Sequence, residues 1–341
     1  MAGRPDQHPT AFSAVYRDAM LAAVQQRYAL VPYLYTALAG ASERGGVVVR
    51  PLSHDFFGPA AAGGRRGDAA SVGARDAQAM VGAALLVSPV LARGADTVRA
   101  LLPCWERWYD WASGLEVPPG QFSFEGEGDA EEAAAAAAGA AGGLCGSWHT
   151  FPAPLAGAQP LHVRGGYVVP DRAAPTLRAA LGEPAARALR LTVALGAPAP
   201  LAEGAEDVAG DGVRVGAAGE LYWDNGGSLE DAGGATWLRL GAAASGRGAL
   251  RGVLSVAAPG PAAGGGGASP PCVQAVRVLG VDAEAAPHCS AERRPRAEGG
   301  ETEPLPCSWT DDGAVVITLP ECAELLDGLQ LTWRAGNNEE L

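Results

Sequence analysis

The residues RYALVPYLYTAL (Arg27–Leu38), VVVRPLSHDFF (Val47–Phe57) and DAQAMVGAALLVSPVLARGADTV (Asp76–Val98) decide how this 341-residue chain is read. Through the first and the residues just before it, Met20, Val24, Tyr28, Val31, Leu34 and Leu38 recur every three or four positions, which predicts a helix with one oily face. Ser13 or Thr10 would cap it, and it would run to about Ala41. Pro32 sits inside this pattern, removes one backbone hydrogen bond and predicts a kink. Gly45-Gly46 stops the helix. Val47-Val48-Val49 then starts a strand, Val47–Leu52, that reads as buried on both faces. Asp76–Gly82 leads into a second buried strand, Leu85–Val90, which leaves for a new sheet.

Beyond Val90 the pattern becomes short apolar runs broken by Gly and Pro, the signature of β-sandwiches. Val98–Pro103, Trp105–Trp111, His149–Pro154 and Leu161–Val169 form a first set of predicted strands. Leu189–Leu195, Gly219–Trp223, Thr236–Leu240, Gly252–Ala257, Val273–Val281, Ala314–Leu319 and Gly328–Trp333 form a second, starting near Tyr167. Ala323–Leu326 is ambiguous. Gly58–Gly73 reads as a loop, and Ala197–Gly216 and Pro259–Pro271 as long Gly/Ala/Pro loops. Gly126–Gly143, with six consecutive alanines and no apolar stripe, reads as an exposed insertion.

Composition narrows the partners. All 25 basic residues are arginine, and a net charge of −13 leaves nothing to neutralise phosphates, so nucleic acid is not an expected partner. No apolar run approaches the roughly 20 residues of a membrane span. The start, MAGRPDQHPTAF, does not read as a secretory signal. Cys104, Cys145, Cys272, Cys289, Cys307 and Cys322 show no C-x-x-C pair, so no metal site is expected. The last four could form one or two disulfides, or remain buried thiols.

The words RYxLxPYLYT, VxRPL, QxxxGxxLLVSPVL, Trp108-Tyr109-Asp110 and His162-Val163-Arg164-Gly165-Gly166, in that order, resemble glycoside hydrolase family 31, its α-glucosidase branch in particular. Gly219-Glu220-Leu221-Tyr222-Trp223-Asp224-Asn225-Gly226-Gly227-Ser228-Leu229 resembles that family's GELxWDDGxSL segment, with Asn225 and Gly227 standing where the family has Asp and Glu. The resemblance implies a mainly β chain. Residues 1–82 would be the last helix-strand unit of a (β/α)8 barrel, with Val47–Leu52 its eighth strand; 83–166 would be a proximal and 167–341 a distal β-sandwich. It also implies a parent enzyme acting on α-glucosides, in a family mostly secreted, lysosomal or in the endoplasmic reticulum. The family's two catalytic aspartates lie in a W-x-D-M-N-E-like and a later D-G-N-like motif. Neither motif occurs in this sequence, so the chain is expected to be inactive alone, with no catalytic residue, cofactor or metal of its own.

Retaining glycosidases need two carboxyl groups about 5–5.5 Å apart, one protonated and one ionised. The local candidates are Asp55 beside His54, Asp110 beside Tyr109, and Asp224. The bland reading is stronger for each: Asp55 pairs with an arginine such as Arg50, Asp110 shapes a hairpin corner, and Asp224 opens a turn that could hold sugar or calcium. His54 and His149 read as packing residues, and Arg164 as a bridge between the two sandwiches. No G-x-S-x-G elbow or phosphate loop is present. The alternative to an enzyme portion is a non-catalytic sandwich that binds glycan or a partner chain, with Trp105, Trp108, Tyr109 and Trp111 as a stacking platform.

Overall fold

The computed structural model describes residues 8–56, 77–103, 106–118, 146–157, 159–172, 188–197, 199–200, 213–224, 235–245, 251–257, 271–282, 288–294, 302–310, 314–325 and 328–336. The predicted loop at Gly58–Gly73, the insertion at Gly126–Gly143, Trp105, Cys104, Cys145 and the turn from Asn225 to Leu229 lie outside them, as do most of Ala197–Gly216 and Pro259–Pro271.

The predicted kink is a full break. Helix α1 (Ala14–Ala29) ends at Leu30 and α2 (Val31–Arg44) begins at once. Pro32 is in the first turn of α2, where a missing N–H costs nothing. The Leu30 carbonyl accepts from the Leu34 N–H at 2.9 Å, which restarts the helix. Ser13 occupies the N-cap position of α1 without a side-chain cap bond. Gly45 ends α2 at φ 78°, as its lack of a Cβ allows.

Strand β1 (Val49–Pro51) follows, then the short helix α3 (Leu52–Phe56), β2 (Ala79–Val81) and β3 (Leu85–Val87). Next come β4 (Thr97–Pro103), β5 (Trp108–Asp110), β6 (Gly146–Pro152) and β7 (Leu161–Arg164). A five-stranded sheet runs β1-β2-β3-β7-β5, and every pairing in it is antiparallel. The strand expected to be the eighth of a parallel barrel therefore lies at the edge of an antiparallel sheet. Nor is it buried on both faces: Val47 is 60% and Val49 58% exposed. A triple-valine run reads as buried in whatever assembly it serves, and the described residues supply no cover on that side.

One face of this sheet carries Met80, Leu86 and Trp108, packed against Leu52 and Leu102 with Phe56 and Phe151 alongside. The paired strands β4 and β6 provide Leu102 and Phe151. The opposite face carries Leu85, Tyr109 and Val163, packed on Leu30 and Tyr33 of the helix pair and on Val169, Ala194 and Leu279. Tyr33 fastens α2 to the β2–β3 turn: its hydroxyl donates to the Val81 carbonyl and accepts from the Ala84 N–H, both at 2.9 Å. Gly82 is required in that turn, with φ 61° and a would-be Cβ 2.2 Å from the Tyr33 hydroxyl.

The remaining strands are β8 (Tyr167–Asp171), β9 (Ala188–Ala194), β10 (Ala199–Pro200), β11 (Val213–Trp223), β12 (Thr236–Ser245), β13 (Arg251–Ala257) and β14 (Cys272–Leu279). They are followed by β15 (His288–Arg293), β16 (Glu303–Leu305), β17 (Cys307–Trp309), β18 (Val315–Glu324) and β19 (Leu329–Gly336). The distal strands do not split into two facing sheets. They form one twelve-stranded sheet, β16-β15-β19-β13-β12-β11-β8-β9-β14-β18-β17, with β10 on β11. The sheet is continuous because β8 pairs with β9 on one side and β11 on the other. It curls until its ends meet around a core that includes Leu191, Val193, Leu221, Leu238, Val276 and Trp333. At that seam the chain steps from β16 to β17 through Pro306 alone, and the Cys289–Cys307 disulfide joins β15 to β17.

Candidate functional site

Each carboxylate singled out in the sequence has a structural partner. Asp55 at the end of α3 accepts two bonds from Arg50 of β1, from Nε and from a terminal nitrogen, each at 2.7 Å. The His54 ring sits 2.8 Å from the same carboxylate. Burial would raise the Asp55 carboxyl, but the bonds to Arg50 and His54 outweigh it and hold it below its ordinary value. A carboxyl locked ionised by a two-pronged arginine is a poor general acid. Asp110 accepts from the N–H and hydroxyl of Ser113, at 2.7 and 2.8 Å, which closes the hairpin corner. Asp224, just past β11, accepts from the Tyr35 hydroxyl at 2.5 Å.

The described part of the expected stacking platform is core. Trp108, Tyr109 and Trp111 are all buried, so no sugar reaches their faces. Alternation on β5 explains this: Trp108 faces Leu86 and the β4–β6 pair, while Tyr109 faces the other way and donates to the Leu195 carbonyl at 2.7 Å. Tyr109 thus joins the two sheets. Arg277 of β14 does the same, donating to the carbonyls of Trp111 at 2.9 Å and Ala112 at 3.3 Å. Arg164 pairs with Glu106 and lies over the rings of Phe56 and Tyr167, reaching the distal sheet through Tyr167.

His162 is fully buried on β7, beside Phe151 at 4.3 Å between ring centroids. Desolvation pulls its pKa from 6.5 to about 4, with Asp110 acting upward and His149 downward. Above pH 6.5 the folded and unfolded chains both hold this ring neutral. As pH falls towards 4 only the unfolded chain takes up the proton, so stability declines through that window. A shift of this size corresponds to at most about 3 kcal/mol. His162→Leu is expected to remove that part of the acid limb, read as the difference between variant and parent urea midpoints at pH 7 and pH 4.5.

Sequence reasoning missed a junction that the structure builds from two separate motifs. Helix α2 lies on the outer side of β11 and β12. Its Tyr35 meets Asp224, and the Tyr222 N–H donates to the Thr36 hydroxyl at 3.0 Å. Arg44 pairs with Glu220 at 2.6 Å, and the Trp237 indole donates to Glu43 at 2.9 Å. The PYLYT and GELYWD words are thus two halves of one interface, and nothing in their separate spacings says that they meet.

On α1 and at the entry to β1, whose first residue is Val49, the side chains of Val15, Tyr16, Leu21, Val24, Val47 and Val49 are exposed and apolar. Only Ala29 of α1 is buried. Among the described residues no group of three or more His, Cys, Asp or Glu is placed to hold a metal ion, and no helix is long and apolar enough to cross a membrane.

The family description "Glycosyl hydrolase family 31 C-terminal domain" matches residues 45–169. The chain is 33% identical to lysosomal alpha-glucosidase of Rattus norvegicus over 226 residues, covering 65% of this chain and 19% of that protein. It is 30% identical to probable maltase-glucoamylase 2 of Homo sapiens over 168 residues, covering 49% of this chain and 5% of that one. Among solved structures, a DNJ-bound glucosidase II alpha subunit superposes at TM-score 0.64 with 20% identity, over 98% of this chain and 30% of that one. A Flavobacterium johnsoniae family 31 dextranase complexed with glucose superposes at 0.63 with 16% identity, over 97% and 34%. The chain therefore spans about a fifth of the length of the lysosomal α-glucosidase it matches. Matched words, matched fold and the matched family domain agree: residues 45–169 belong to the C-terminal domain of glycosyl hydrolase family 31, and the chain as a whole is similar to a C-terminal portion of that family's α-glucosidases.

Proposed function

We propose that the chain is the non-catalytic support of a family 31 enzyme that hydrolyses terminal α-linked glucose, and that the two catalytic aspartates reside on a (β/α)8 barrel outside these residues. Residues 1–82 would pack against that barrel, with 83–166 and 167–341 as the β-domains behind it. The observation that carries this reading is the uncovered apolar surface of α1 and the residues entering β1: Val15, Tyr16, Leu21, Val24, Val47 and Val49. A 16-residue helix with one buried side chain is marginal in water and gains stability by packing against a partner. The commitment of Asp55 to Arg50, Asp110 to Ser113 and Asp224 to Tyr35 also speaks against chemistry on this chain.

The test is hydrolysis of a chromogenic α-glucoside by the purified chain at acid and neutral pH, beside a barrel-bearing family 31 enzyme as positive control. No turnover is expected from the chain. Turnover that disappears in Asp55→Ala, with the fold intact by near-ultraviolet circular dichroism, would overturn the proposal.

A further inference from the structure

The junction of α2 with the distal sheet holds a row of three rings, with Tyr35 exposed and Tyr222 and Trp237 half-buried. Tyr222 and Trp237 sit directly opposite each other in the β11–β12 register, with ring centroids 5.0 Å apart. Their sequence neighbours Leu221 and Leu238 are fully buried in the sheet's core, so alternation places Tyr222 and Trp237 on the outer face. Tyr35 of α2 extends the row, 5.7 Å from Tyr222. Its exposure of 42% is more than anchoring a helix requires. Asp224, Glu43, Glu220 and Arg44 surround the rings, so hydrogen-bond acceptors and donors are both at hand.

We propose that the Tyr35–Tyr222–Trp237 row binds a neutral oligosaccharide. A sugar ring offers an apolar C–H face, slightly positive, to the negative face of an aromatic ring, and hydroxyl edges to carboxylates and guanidinium. The Arg44–Glu220 pair is solvent-exposed, so sharing its hydrogen bonds with a ligand costs little. An organic cation fits less well, because Arg44 already lies 4.1 Å over the Trp237 ring, the position a cation would take. That face of Trp237 is closed to a sugar as well, so stacking rests first on the exposed Tyr35. Three carboxylates against one arginine disfavour an anionic sugar. Tyr35, Glu43 and Arg44 fall within the residues proposed to pack beside the barrel, but none of them is among the apolar side chains of α1 and β1 on which that proposal rests; family membership enters only in the choice of glucose polymers as probes.

The experiment is a titration of the full chain with maltoheptaose and with dextran, followed by tryptophan fluorescence and calorimetry. Weak, saturable binding is expected, lowered about tenfold in Tyr35→Ala, the loss of one stacking ring, and retained within about twofold in Tyr35→Phe. Glu43→Gln serves as a second variant that keeps every ring and is expected to weaken binding several-fold. Near-ultraviolet circular dichroism confirms folding in each case. Absence of saturable binding by the folded parent chain, equal affinity in Tyr35→Ala, or displacement of the oligosaccharide by tetramethylammonium would each overturn the proposal. None of these results depends on whether the chain hydrolyses a glucoside.

Discussion

Cys272→Ser and Cys289→Ser introduced together are expected to lower stability by about 7 kcal/mol and to leave the distal sheet unfolded at 37 °C. The Cys272–Cys322 bond closes a sequence separation of 50 residues and Cys289–Cys307 one of 18. Chain entropy released on cutting them is worth about 4 and about 3 kcal/mol respectively. Position makes both bonds matter beyond loop length. Cys272–Cys322 pins β18 where its register against β14 jumps, with Thr318 opposite Ala275 and Ala323 opposite Val273. Cys289–Cys307 joins the strand next to one end of the sheet to the strand at the other end, and so holds the curled sheet shut. Opening it would bare Leu305 and Trp333, which pack in the sheet's core. Urea unfolding of the two single variants and the double variant checks this. A double variant as stable as the parent would mean that backbone pairing through Pro306 closes the seam unaided.

These disulfides also mark how far the residues alone could be read. Four cysteines allow three pairings, and strand-length spacing does not choose among them. The choice needs the sheet order, and that depends on β15, β16 and β17, for which the sequence pattern predicts no strand. β15 is HCSAER, with Ala291 its one buried residue, and β16 and β17 have three residues each. Strands that lie near a sheet end and bury at most one side chain each carry no apolar alternation to detect. By contrast, β9, β12, β13, β14 and β19 were legible, because each presents a clear apolar face to a closed core. The Arg50–Asp55 pair was legible for a local reason: five residues across a strand-to-helix corner bring the two groups together. The Tyr35–Asp224 contact spans 189 residues and has no such cue. The aromatic cluster at Trp108–Trp111 misled in the opposite sense, since a row of rings reads alike whether it faces sugar or leucine.

Asp171→Leu is expected to cost about 3 kcal/mol, and Asp171→Leu combined with Arg190→Leu to recover more than half of that. Asp171 at the end of β8 is fully buried. It accepts from Arg190 Nε at 2.8 Å and from the Thr192 hydroxyl at 2.6 Å, with Arg277 also close enough to act on it. Burial raises its carboxyl pKa, and it does so against the combined pull of Arg190, Thr192 and Arg277. Desolvation therefore wins over attraction, and the ion pair is no net source of stability at neutral pH. The expected loss in the single variant comes from the partner left behind: an arginine facing a leucine with its counter-charge gone. Because the Arg190 side chain keeps 22% exposure, water can reach it, and the cost belongs at the low end of the range for a broken buried pair. Removing the arginine as well takes that orphaned charge away and leaves an unfilled hydroxyl at Thr192, with Arg277 still held by the Trp111 and Ala112 carbonyls. Urea midpoints at constant slope measure both variants. If the double variant is weaker than the single by a further 3 kcal/mol or so, attraction outweighs desolvation after all, and Asp171 holds its neighbouring strands together through its charge.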